Sequence, residues 1–481
     1  MADMAMSMEE LQQRYGSHYK WWVMVTVMIG TMTMSLSSTI VNVALPEIMG
    51  TFSVNHTMGQ WLVTAFLASM AIGMLLNIWM VDRFGPRTTY MGALAIFIIA
   101  ALAGGFAVNF GMLVVVRIIQ GLIAGMVQPL AMLMLYAVFP VRERGQAMGL
   151  YAMGVVLGPT VGPVVGGVLV DWWSWRAVFL IVLPFCLVAF YLGQRYLSRP
   201  PSAPPVHRRL DSAGLLLLTG WMVALLWGLS AGPDYGWASP AVIGALILAV
   251  ILFIAFAWRQ LKGRAPLLAL GIFRHAGFGP AFMVAMLTGA GLFGSVYLLP
   301  LLVQTAMGKS ASAAGMLLMP AGLAMALSFP VIGRLTDRVV PKVLVAGGLI
   351  IFAISCVVLS DAQKGTSLIL VALMAALGRV GLAMTMPPVV IGAVSIVPQN
   401  MVNQATGLIS FARQFGGSLG VALSAILLQE STRWTAALGV PLTSPGYQDA
   451  FALMALFYLL GLYPMALMKS PPKEEPASTT A

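Results

Sequence analysis

Long apolar runs alternate with short polar segments along nearly the whole chain. Each run is about 20 residues long, which is the length that an α-helix needs to cross the hydrocarbon core of a bilayer. Charged or turn-forming residues separate the runs. The pattern predicts fourteen transmembrane helices, at residues 21–44, 58–80, 89–108, 112–136, 147–169, 177–197, 212–230, 240–259, 276–300, 311–332, 343–360, 367–390, 404–428 and 448–468.

The composition agrees with lipid as the main solvent of the folded chain. Of the 481 residues, 60% are hydrophobic and 9% are charged, whereas a soluble domain carries about 25% charged residues. The polar segment before the first run shows no signal-peptide cleavage pattern, so we expect that run to be retained as a span. The sequence therefore predicts an all-α membrane protein.

The distribution of positive charge predicts the orientation of the spans. If both termini are cytoplasmic, 19 of the 26 Lys and Arg residues fall in cytoplasmic segments, 4 in outer segments and 3 within spans. Lys and Arg concentrate on the cytoplasmic side of membrane proteins. The net charge of +11 is thus explained by topology, and we expect no nucleic-acid partner.

The order of the runs indicates two related halves with extra helices between them. Residues 198–211, after the sixth run, are rich in proline and arginine and are typical of a cytoplasmic connector. Two halves suit alternating access, with a substrate site between them near the bilayer midplane. The predicted organisation is a cytoplasmic tail at 1–20, a six-helix half at 21–197, a linker with two extra helices at 198–275, a six-helix half at 276–468 and a cytoplasmic tail at 469–481.

Charged loops occur at the same place in each half, directly after its second run. They carry Asp82, Arg83, Gly85 and Arg87 in the first half, and Asp337 and Arg338 in the second. A carboxylate at a helix end can bind the N-terminus of another helix or an arginine, and so stabilise one conformation. We expect a conformational switch at these loops; a solvated loop is the alternative.

Three arginines lie inside the apolar runs. Arg117 is in the fourth run, Arg379 in the corresponding run of the second half, and Arg413 in the thirteenth run. An ionised arginine in lipid is costly and normally faces the bundle interior or a wet cavity. Because Arg117 lies near the outer end of its run, snorkelling to the interface is the alternative.

The fifth run carries a repeat of small residues. Its glycines recur every four residues, with prolines between them, as Gly154, Gly158, Pro159, Gly162, Pro163, Gly166 and Gly167. Four residues turn a helix by about 400°, so these glycines form one slowly drifting ridge. The ridge lets another helix approach closely, and the prolines are expected to bend the helix.

Together these motifs resemble the multidrug-exporter branch of the major facilitator superfamily, the fourteen-helix drug:proton antiporters. Residues 78–87 match the second half of the family's G-x-L-x-D-R-x-G-R loop motif, with Ile78 in place of the first glycine. The run with Arg117 resembles the family's helix with a buried arginine, and the fifth run resembles its antiporter motif G-x-x-x-G-P-x-x-G-G. The resemblance covers about residues 20–468 and implies the major facilitator fold.

The resemblance fails at one position in the first run. The branch usually reads Leu-Asp-x-Thr-Ile-Val-Asn there, and its aspartate is taken to carry the coupling proton. This chain has Ser37 in place of that aspartate, and a serine cannot exchange a proton in this way. None of the 15 acidic residues lies deep in a run; Glu47, near the outer end of the first, is the candidate replacement.

Buried arginines without a deep acid favour a cavity for anionic or neutral lipophilic substrates, with Arg117 and Arg379 as the expected partners of an anion. Export of a monoanion from a negative interior gains about 2.3 kcal/mol per 100 mV, so the membrane potential could drive it. Protons remain a candidate coupling ion if Glu47 replaces the missing aspartate. The candidates for lining the cavity are Ser37, Ser38, Thr39, Asn42, Gln120 and Gln304. Hydrogen bonding between helices is the alternative role of these polar side chains.

Other function classes have little support in the sequence. The four histidines lie in tails or loops, and neither an H-E-x-x-H motif nor a Walker loop is present. We therefore expect no enzyme, no cofactor and no metal, and the short predicted tails argue against an added sensor domain. The expected function is secondary active export of drugs or toxic lipophilic compounds by alternating access. A dedicated exporter of an organic anion or secondary metabolite is the alternative.

The sequence also supports two weaker expectations. Both halves of the expected site lie in one chain, so a monomer is sufficient. The short loops favour the inner membrane of a bacterium as the location.

Overall fold

The computed structural model describes residues 8–54, 61–198, 211–263, 270–309, 311–362, 365–438 and 446–468. We number the long helices in chain order and leave the short helices Met8–Tyr15, Ala177–Leu180 and Leu462–Leu467 without numbers. The helices of the first part are α1 (Tyr19–Phe52), α2 (Trp61–Phe84), α3 (Pro86–Gly105), α4 (Phe110–Val138), α5 (Arg144–Trp172) and α6 (Val182–Tyr196). They are followed by α7 (Ser212–Tyr235), α8 (Pro240–Lys262), α9 (Phe278–Leu301), α10 (Ala311–Thr336), α11 (Pro341–Ser360), α12 (Leu368–Ser395), α13 (Val402–Leu438) and α14 (Tyr447–Leu460).

Every predicted run overlaps one numbered helix, which confirms the expectation of an all-α membrane protein. In the described ranges, thirteen helical stretches are long and apolar enough to cross a membrane; α5, some of whose side chains lie outside those ranges, is not among them. The count of fourteen spans and the cytoplasmic position of both termini stay predictions. We use that predicted orientation below to name the cytoplasmic and outer ends of helices.

The same pattern of helix packing occurs twice. In the first part, α1 packs on α4, α5 and α6, and α2 packs on α4. In the second part, α9 packs on α12, α13 and α14, and α10 packs on α12. The second set is the first set shifted by eight helices, which agrees with two related six-helix halves separated by α7 and α8.

Two seams join the halves, and the extra helices lie beside one of them. The first seam is α5 against α10, and the second is α2 against α13. Helix α7 packs on α8, on α13 and on α2. At the centre of this contact the Trp221 ring lies 5.0 Å from the Phe415 ring of α13 and 5.0 Å from the Phe253 ring of α8.

Polar side chains fix the ends of several helices. Asn109 caps α4 by accepting the N–H of Met112 at 2.8 Å, and Ser239 caps α8 in the same way. Asp211 caps α7 through Gly214 N–H and also accepts hydrogen bonds from Arg259 and Gln260 of α8. Burial of Asp211 favours its neutral form, but these donors outweigh it and hold the pKa of the carboxyl below its usual value. The charged cap therefore ties α7 to α8.

The glycine ridge of α5 packs on α1 over the length of both helices. A Cβ added at Gly158 would lie 2.7 Å from the Met32 carbonyl oxygen, and one at Gly166 would lie 2.9 Å from Ile40 Cγ1. Gly154 faces Met28, and Gly162 faces Thr39. A larger side chain at these positions would separate the two helices. Helix α5 is continuous across the ridge, and the bend expected from its prolines stays a prediction.

Candidate transport site

A cavity lies between the two halves and is lined by side chains from both. Its volume is about 40 Å³, whereas pockets that hold drug-sized ligands measure about 300–1,000 Å³. A substrate of that size would therefore have to widen the cavity. The lining residues are Gln128, Met132, Met148, Tyr151, Ala152, Val155 and Val156 from the first half, and Phe329, Met386, Pro387, Val390 and Arg413 from the second.

The cavity lies deep within the bundle. Gln128 precedes Val138, the cytoplasmic end of α4, by ten residues, which is about 15 Å along a helix. The hydrocarbon core of a bilayer is about 30 Å thick. The cavity is thus near the midplane, where the two-half architecture predicts a substrate site.

Arg413 brings a positive charge to this mainly apolar cavity. Its side chain is 8% exposed, and its Nη2 atom has no hydrogen-bond partner among the described residues. Close packing of α13 on α9 fixes its backbone: a Cβ added at Gly289 would lie 2.9 Å from Arg413 Cα, and one at Gly416 would lie 2.8 Å from Met286 Cα. Arg413 therefore brings a positioned cation, with one N–H group that has no partner among the described residues, to the wall of the cavity.

Tyr151 supplies the polar group on the opposite wall. This side chain projects from α5, and its hydroxyl donates to the Gln128 carbonyl oxygen at 3.2 Å. The same hydroxyl lies 3.4 Å from the Thr31 hydroxyl of α1. Tyr151 is 1% exposed, so these contacts hold its ring in place. The cavity thus combines methionine and aromatic surface with one cation and one hydroxyl.

Main-chain contacts close the cytoplasmic side of this cavity. Along the α5–α10 seam, a Cβ added at Gly149 would lie 2.9 Å from Gly333 Cα and would also collide with the Phe329 carbonyl oxygen. Gly145, one turn closer to the cytoplasmic end of α5, meets the Gly333 carbonyl oxygen. Phe329 itself lines the cavity. In this state the two halves therefore touch directly beneath the site.

Asp337 binds the N-terminus of α5 across this seam. Its carboxylate accepts the N–H of Gly145 at 2.7 Å and the N–H of Gln146 at 2.9 Å. A helix N-terminus carries unsatisfied N–H groups and a partial positive charge, so it favours a carboxylate. Asp337 thus makes a contact between the halves of the kind that a conformational switch requires.

The first-half loop makes a corresponding contact at the other seam. Asp82 accepts a hydrogen bond from Asn403 Nδ2 of α13 at 3.2 Å, and the same Nδ2 donates to the Ile78 carbonyl oxygen at 3.2 Å. Asn77 and Asn403 face each other at 3.5 Å. Ile78, which replaces a glycine of the family motif, packs against Gly407 of α13.

The remaining residues of the two loops lie at the surface. Gly85 has φ of 79°, a left-handed conformation that favours glycine, between α2 and α3. Arg87 donates to the Gln194 carbonyl oxygen at 2.9 Å, within the first half. Arg83 and Arg338 are exposed. The structure therefore brings Asp82 and Asp337 to the seams.

Replacing Asp337 by asparagine is expected to favour opening of the cytoplasmic side. Asp337 is exposed, and loss of an exposed carboxylate from a helix N-terminus costs about 0.3–1 kcal/mol, which shifts the ratio of open to closed states about two- to fivefold. Spin labels at the exposed positions 142 and 338 would report the separation of α5 and α10. The exposed Asp361, at the outer end of α11, provides the control Asp361→Asn. Unchanged distances in Asp337→Asn would show that the contact does not hold the seam.

Arg117 lies inside the first half, away from the cavity. It is 0% exposed, which excludes snorkelling. Its Nε donates to the Leu62 carbonyl oxygen at 2.9 Å and its Nη1 to the Ser37 carbonyl oxygen at 3.0 Å. The guanidinium lies 4.1 Å from the centre of the Phe66 ring. Arg117 therefore joins α4 to α1 and α2.

Arg379 takes the corresponding place in the second half. It is buried on α12, and its Nη1 donates to the Leu292 carbonyl oxygen of α9 at 3.4 Å. Each of these two arginines thus binds a carbonyl oxygen on the first helix of its own half. Of the three arginines predicted within spans, the structure brings only Arg413 to the cavity.

The polar side chains of α1 that the structure describes do not line this cavity. The Ser37 hydroxyl lies 3.5 Å from Arg117 Nη1, and the Ser38 hydroxyl donates to the Ser35 carbonyl oxygen at 2.6 Å. The Thr39 hydroxyl is turned to the Leu36 carbonyl oxygen and the glycine ridge. Gln120 is buried beside Arg117, at 3.3 Å between Arg117 Nη1 and Gln120 Oε1. These contacts match the alternative of hydrogen bonding between and within helices, and a role in a cavity stays a prediction.

Several other residues predicted from the sequence either lie outside the cavity or have side chains outside the described part of the structure. Glu47 is half-buried near the outer end of α1, and its role in proton coupling stays a prediction. Pro159 and Gly167 are half-buried on α5. The side chains of Asn42, Pro163 and Gln304 fall outside the described residues.

The sequence analysis missed most of the cavity wall. Gln128, Tyr151 and Asn403 were not singled out, although the first two are polar residues inside apolar runs and Asn403 directly precedes the thirteenth run. Gln128 and Tyr151 line the cavity, and Asn403 binds Asp82. A polar residue within a span is a signal of function or of helix contact, and it would have found the first two.

Comparison with known proteins agrees with this architecture. The profile of the Major Facilitator Superfamily matches residues 27–421. The uncharacterized MFS-type transporter YcnB of Bacillus subtilis is 29% identical over 446 residues, covering 92% of this chain and 94% of that protein. The tetracenomycin C resistance and export protein of Streptomyces glaucescens is 30% identical, over 85% of this chain and 76% of that protein.

A solved structure shows the same fold. The proton:xylose symporter XylE superposes with a TM-score of 0.68 at 16% identity, covering 95% of this chain and 97% of that protein. These similarities confirm the family resemblance derived from the loop and glycine motifs, including the relation to drug-export proteins. The chain therefore belongs to the major facilitator superfamily, and it is a transporter rather than an enzyme.

Proposed function

We propose that the protein is a secondary active exporter of lipophilic, drug-like molecules in the plasma membrane of a bacterium. The observation that carries this proposal is the cavity between the halves, which is apolar apart from Arg413, Gln128 and Tyr151. Relatives that export or resist antibiotics support the same substrate class. One chain contains both halves, so a monomer is the proposed functional unit.

Alternating access is the proposed mechanism. The cytoplasmic side is closed by the Gly149–Phe329 contact and by Asp337 on the N-terminus of α5. Release of these contacts would separate α5 from α10 and open the cavity toward the cytoplasm. Substrate would then enter from the cytoplasmic side and leave after closure toward the outer side, which is the direction of export.

The arginine in the cavity favours acidic or neutral substrates over lipophilic cations. A carboxylate or other acceptor can pair with Arg413 Nη2, which lacks a partner among the described residues. A cation in the same cavity would be repelled at short range in a medium of low dielectric constant. We therefore place the preference for anions on Arg413, and not on Arg117 and Arg379, which bind carbonyl oxygens of their own halves.

The same residue supports a second candidate function, a dedicated exporter of an organic anion driven by the membrane potential. Ser37 replaces the aspartate that the drug:proton antiporters use, and its hydroxyl lies beside Arg117. Outward movement of a monoanion gains about 2.3 kcal/mol per 100 mV without a coupled proton. Proton coupling through Glu47 is the competing proposal.

Transport into and out of proteoliposomes separates these proposals. A pH gradient and a membrane potential are imposed one at a time, and efflux of a lipophilic weak acid and of a lipophilic cation is followed. Efflux of the acid driven by potential alone supports the anion exporter. Cation efflux driven by the pH gradient, lost in Glu47→Gln, supports a proton antiporter. Absence of gradient-driven movement of either compound class would contradict the proposed export function.

A further inference from the structure

Arg117 is a fully buried cation whose surroundings are neutral. Its hydrogen-bond partners are the carbonyl oxygens of Leu62 and Ser37, the Ser37 hydroxyl and the Gln120 amide oxygen. No carboxylate of the described residues pairs with it. A buried charge without a counter-charge is strongly unfavourable. One negative charge beside Arg117 would therefore be needed to neutralise the guanidinium.

Two hydrogen-bond donors at this place also lack acceptors. They are Arg117 Nη2 and Gln120 Nε2, both without a partner among the described residues, on side chains that are each 0% exposed. The two side chains touch, because Arg117 Nη1 donates to Gln120 Oε1 at 3.3 Å. Reversing the Gln120 amide would place its NH₂ against the guanidinium, donor against donor, so the assigned orientation is the favourable one. The two donors without acceptors thus belong to side chains that are hydrogen-bonded to each other.

The burial of this group limits what could accept these bonds. Leu62 and Leu113 are 0% exposed and Val116 is 3% exposed, so neighbouring apolar residues of α2 and α4 are buried as well. Arg117 Nη2 and Gln120 Nε2 have almost no accessible surface, so an acceptor has to be small and has to displace the surrounding side chains. The group is also separate from the substrate cavity: Arg117 precedes Gln128 by eleven residues on α4, about 16 Å along the helix. A substrate bound at Arg413 therefore cannot supply the acceptor.

We propose that Arg117, Gln120 and Ser37 form a binding site for a small monovalent anion of the halide type. The anion would accept hydrogen bonds from Arg117 Nη2, Gln120 Nε2 and the Ser37 hydroxyl, and would neutralise the guanidinium. Because these residues lie on α4 and α1, the bound anion would stabilise the contact between the two helices. This site is independent of the proposed transport function, and its test requires no transport.

The test uses the purified full-length protein in detergent. The midpoint of thermal unfolding is measured as sodium chloride replaces sodium gluconate at constant ionic strength, and again with bromide. Binding to the folded state alone raises the midpoint with halide concentration. We expect a saturable rise in the wild type, and Gln120→Leu should need about tenfold more chloride for half the effect, because one donor is lost.

Two carboxylate variants give the decisive comparison. Ser37→Asp and Gln120→Glu each place a negative charge beside Arg117 and should remove the chloride dependence while the protein stays folded. Either variant suffices if the other does not fold. Arg413→Gln is the matched control, since it removes the other buried arginine with a vacant donor, and it should keep the dependence.

Three outcomes would overturn the proposal. An unfolding midpoint of the wild type that is indifferent to chloride and bromide would show that a neutral acceptor such as water fills the position. An unchanged chloride dependence in both carboxylate variants would place the anion elsewhere. Loss of the dependence in Arg413→Gln, with its retention in Ser37→Asp, would move the halide to the substrate cavity.

Discussion

Replacing Arg413 by glutamine is expected to lower the export of a lipophilic carboxylic acid about thirtyfold, with little effect on a neutral compound of similar size. The reason is the loss of one charge-assisted hydrogen bond in a desolvated cavity, which is about 2 kcal/mol. Arg413 is 8% exposed and lines the cavity, so solvent cannot replace it. Initial rates in proteoliposomes under a fixed membrane potential would measure the ratio between the two substrates.

Two further variants make this result specific. Arg413→Lys keeps the charge but loses the planar fork, so it should retain part of the preference for the acid. Arg274→Gln removes an exposed arginine far from the cavity and should leave both rates unchanged. If Arg413→Gln reduces the transport rates of the acid and of the neutral compound equally, then Arg413 stabilises the packing of α13 and does not select the substrate.

Replacing Gly149 by valine is expected to prevent closure of the cytoplasmic side and so to abolish transport. A side chain there would collide with the Phe329 carbonyl oxygen and with Gly333 Cα, which is 2.9 Å from the position of a Cβ. These two backbone atoms cannot move away as the end of a flexible side chain can. Helices α5 and α10 must therefore separate to make room for the valine. Overpacking of this kind costs about 1–3 kcal/mol, enough to shift a two-state equilibrium by about 10–100-fold.

The spin labels at positions 142 and 338 would show this shift as a longer distance between α5 and α10. Gly92→Val is the matched control, because Gly92 also lies inside a helix, α3, but a Cβ there meets no atom within 4 Å. The control should keep the wild-type distances and transport. Full activity of Gly149→Val would mean that the close contact of the glycines is dispensable for the transport cycle.

The helices and their ridges could be predicted from the sequence because their signals are local. Apolar runs of membrane-spanning length gave every numbered helix, and the spacing of Gly154, Gly158, Gly162 and Gly166 predicted a close helix neighbour. The structure identifies that neighbour as α1. Binding of Asp82 and Asp337 to another helix was also predicted, since a carboxylate at a helix end can bind a helix N-terminus or an arginine; a solvated loop was the alternative.

The roles of the arginines could not be predicted, because they depend on which side of each helix faces which neighbour. A long apolar run without a marked hydrophobic face does not show in which direction the charged residue within it points. Arg117 and Arg413 are therefore equivalent in the sequence, and only packing separates them. Arg117 binds Ser37, 80 positions away, whereas Arg413 reaches the cavity. Gln128 and Tyr151 differ from the arginines, because a polar residue within a span is a signal that the sequence does carry.

The α7–α8 pair makes the two seams mechanically unequal. Helix α7 packs on both α2 and α13, so separating those helices means carrying the pair along or pulling the Trp221 ring away from Phe415. Among the described helices, no such pair packs across the α5–α10 seam, and Leu327 and Val331 on its α10 side are exposed. The two halves should therefore rotate about the α2–α13 seam, and the α5–α10 seam should be the one that opens and closes.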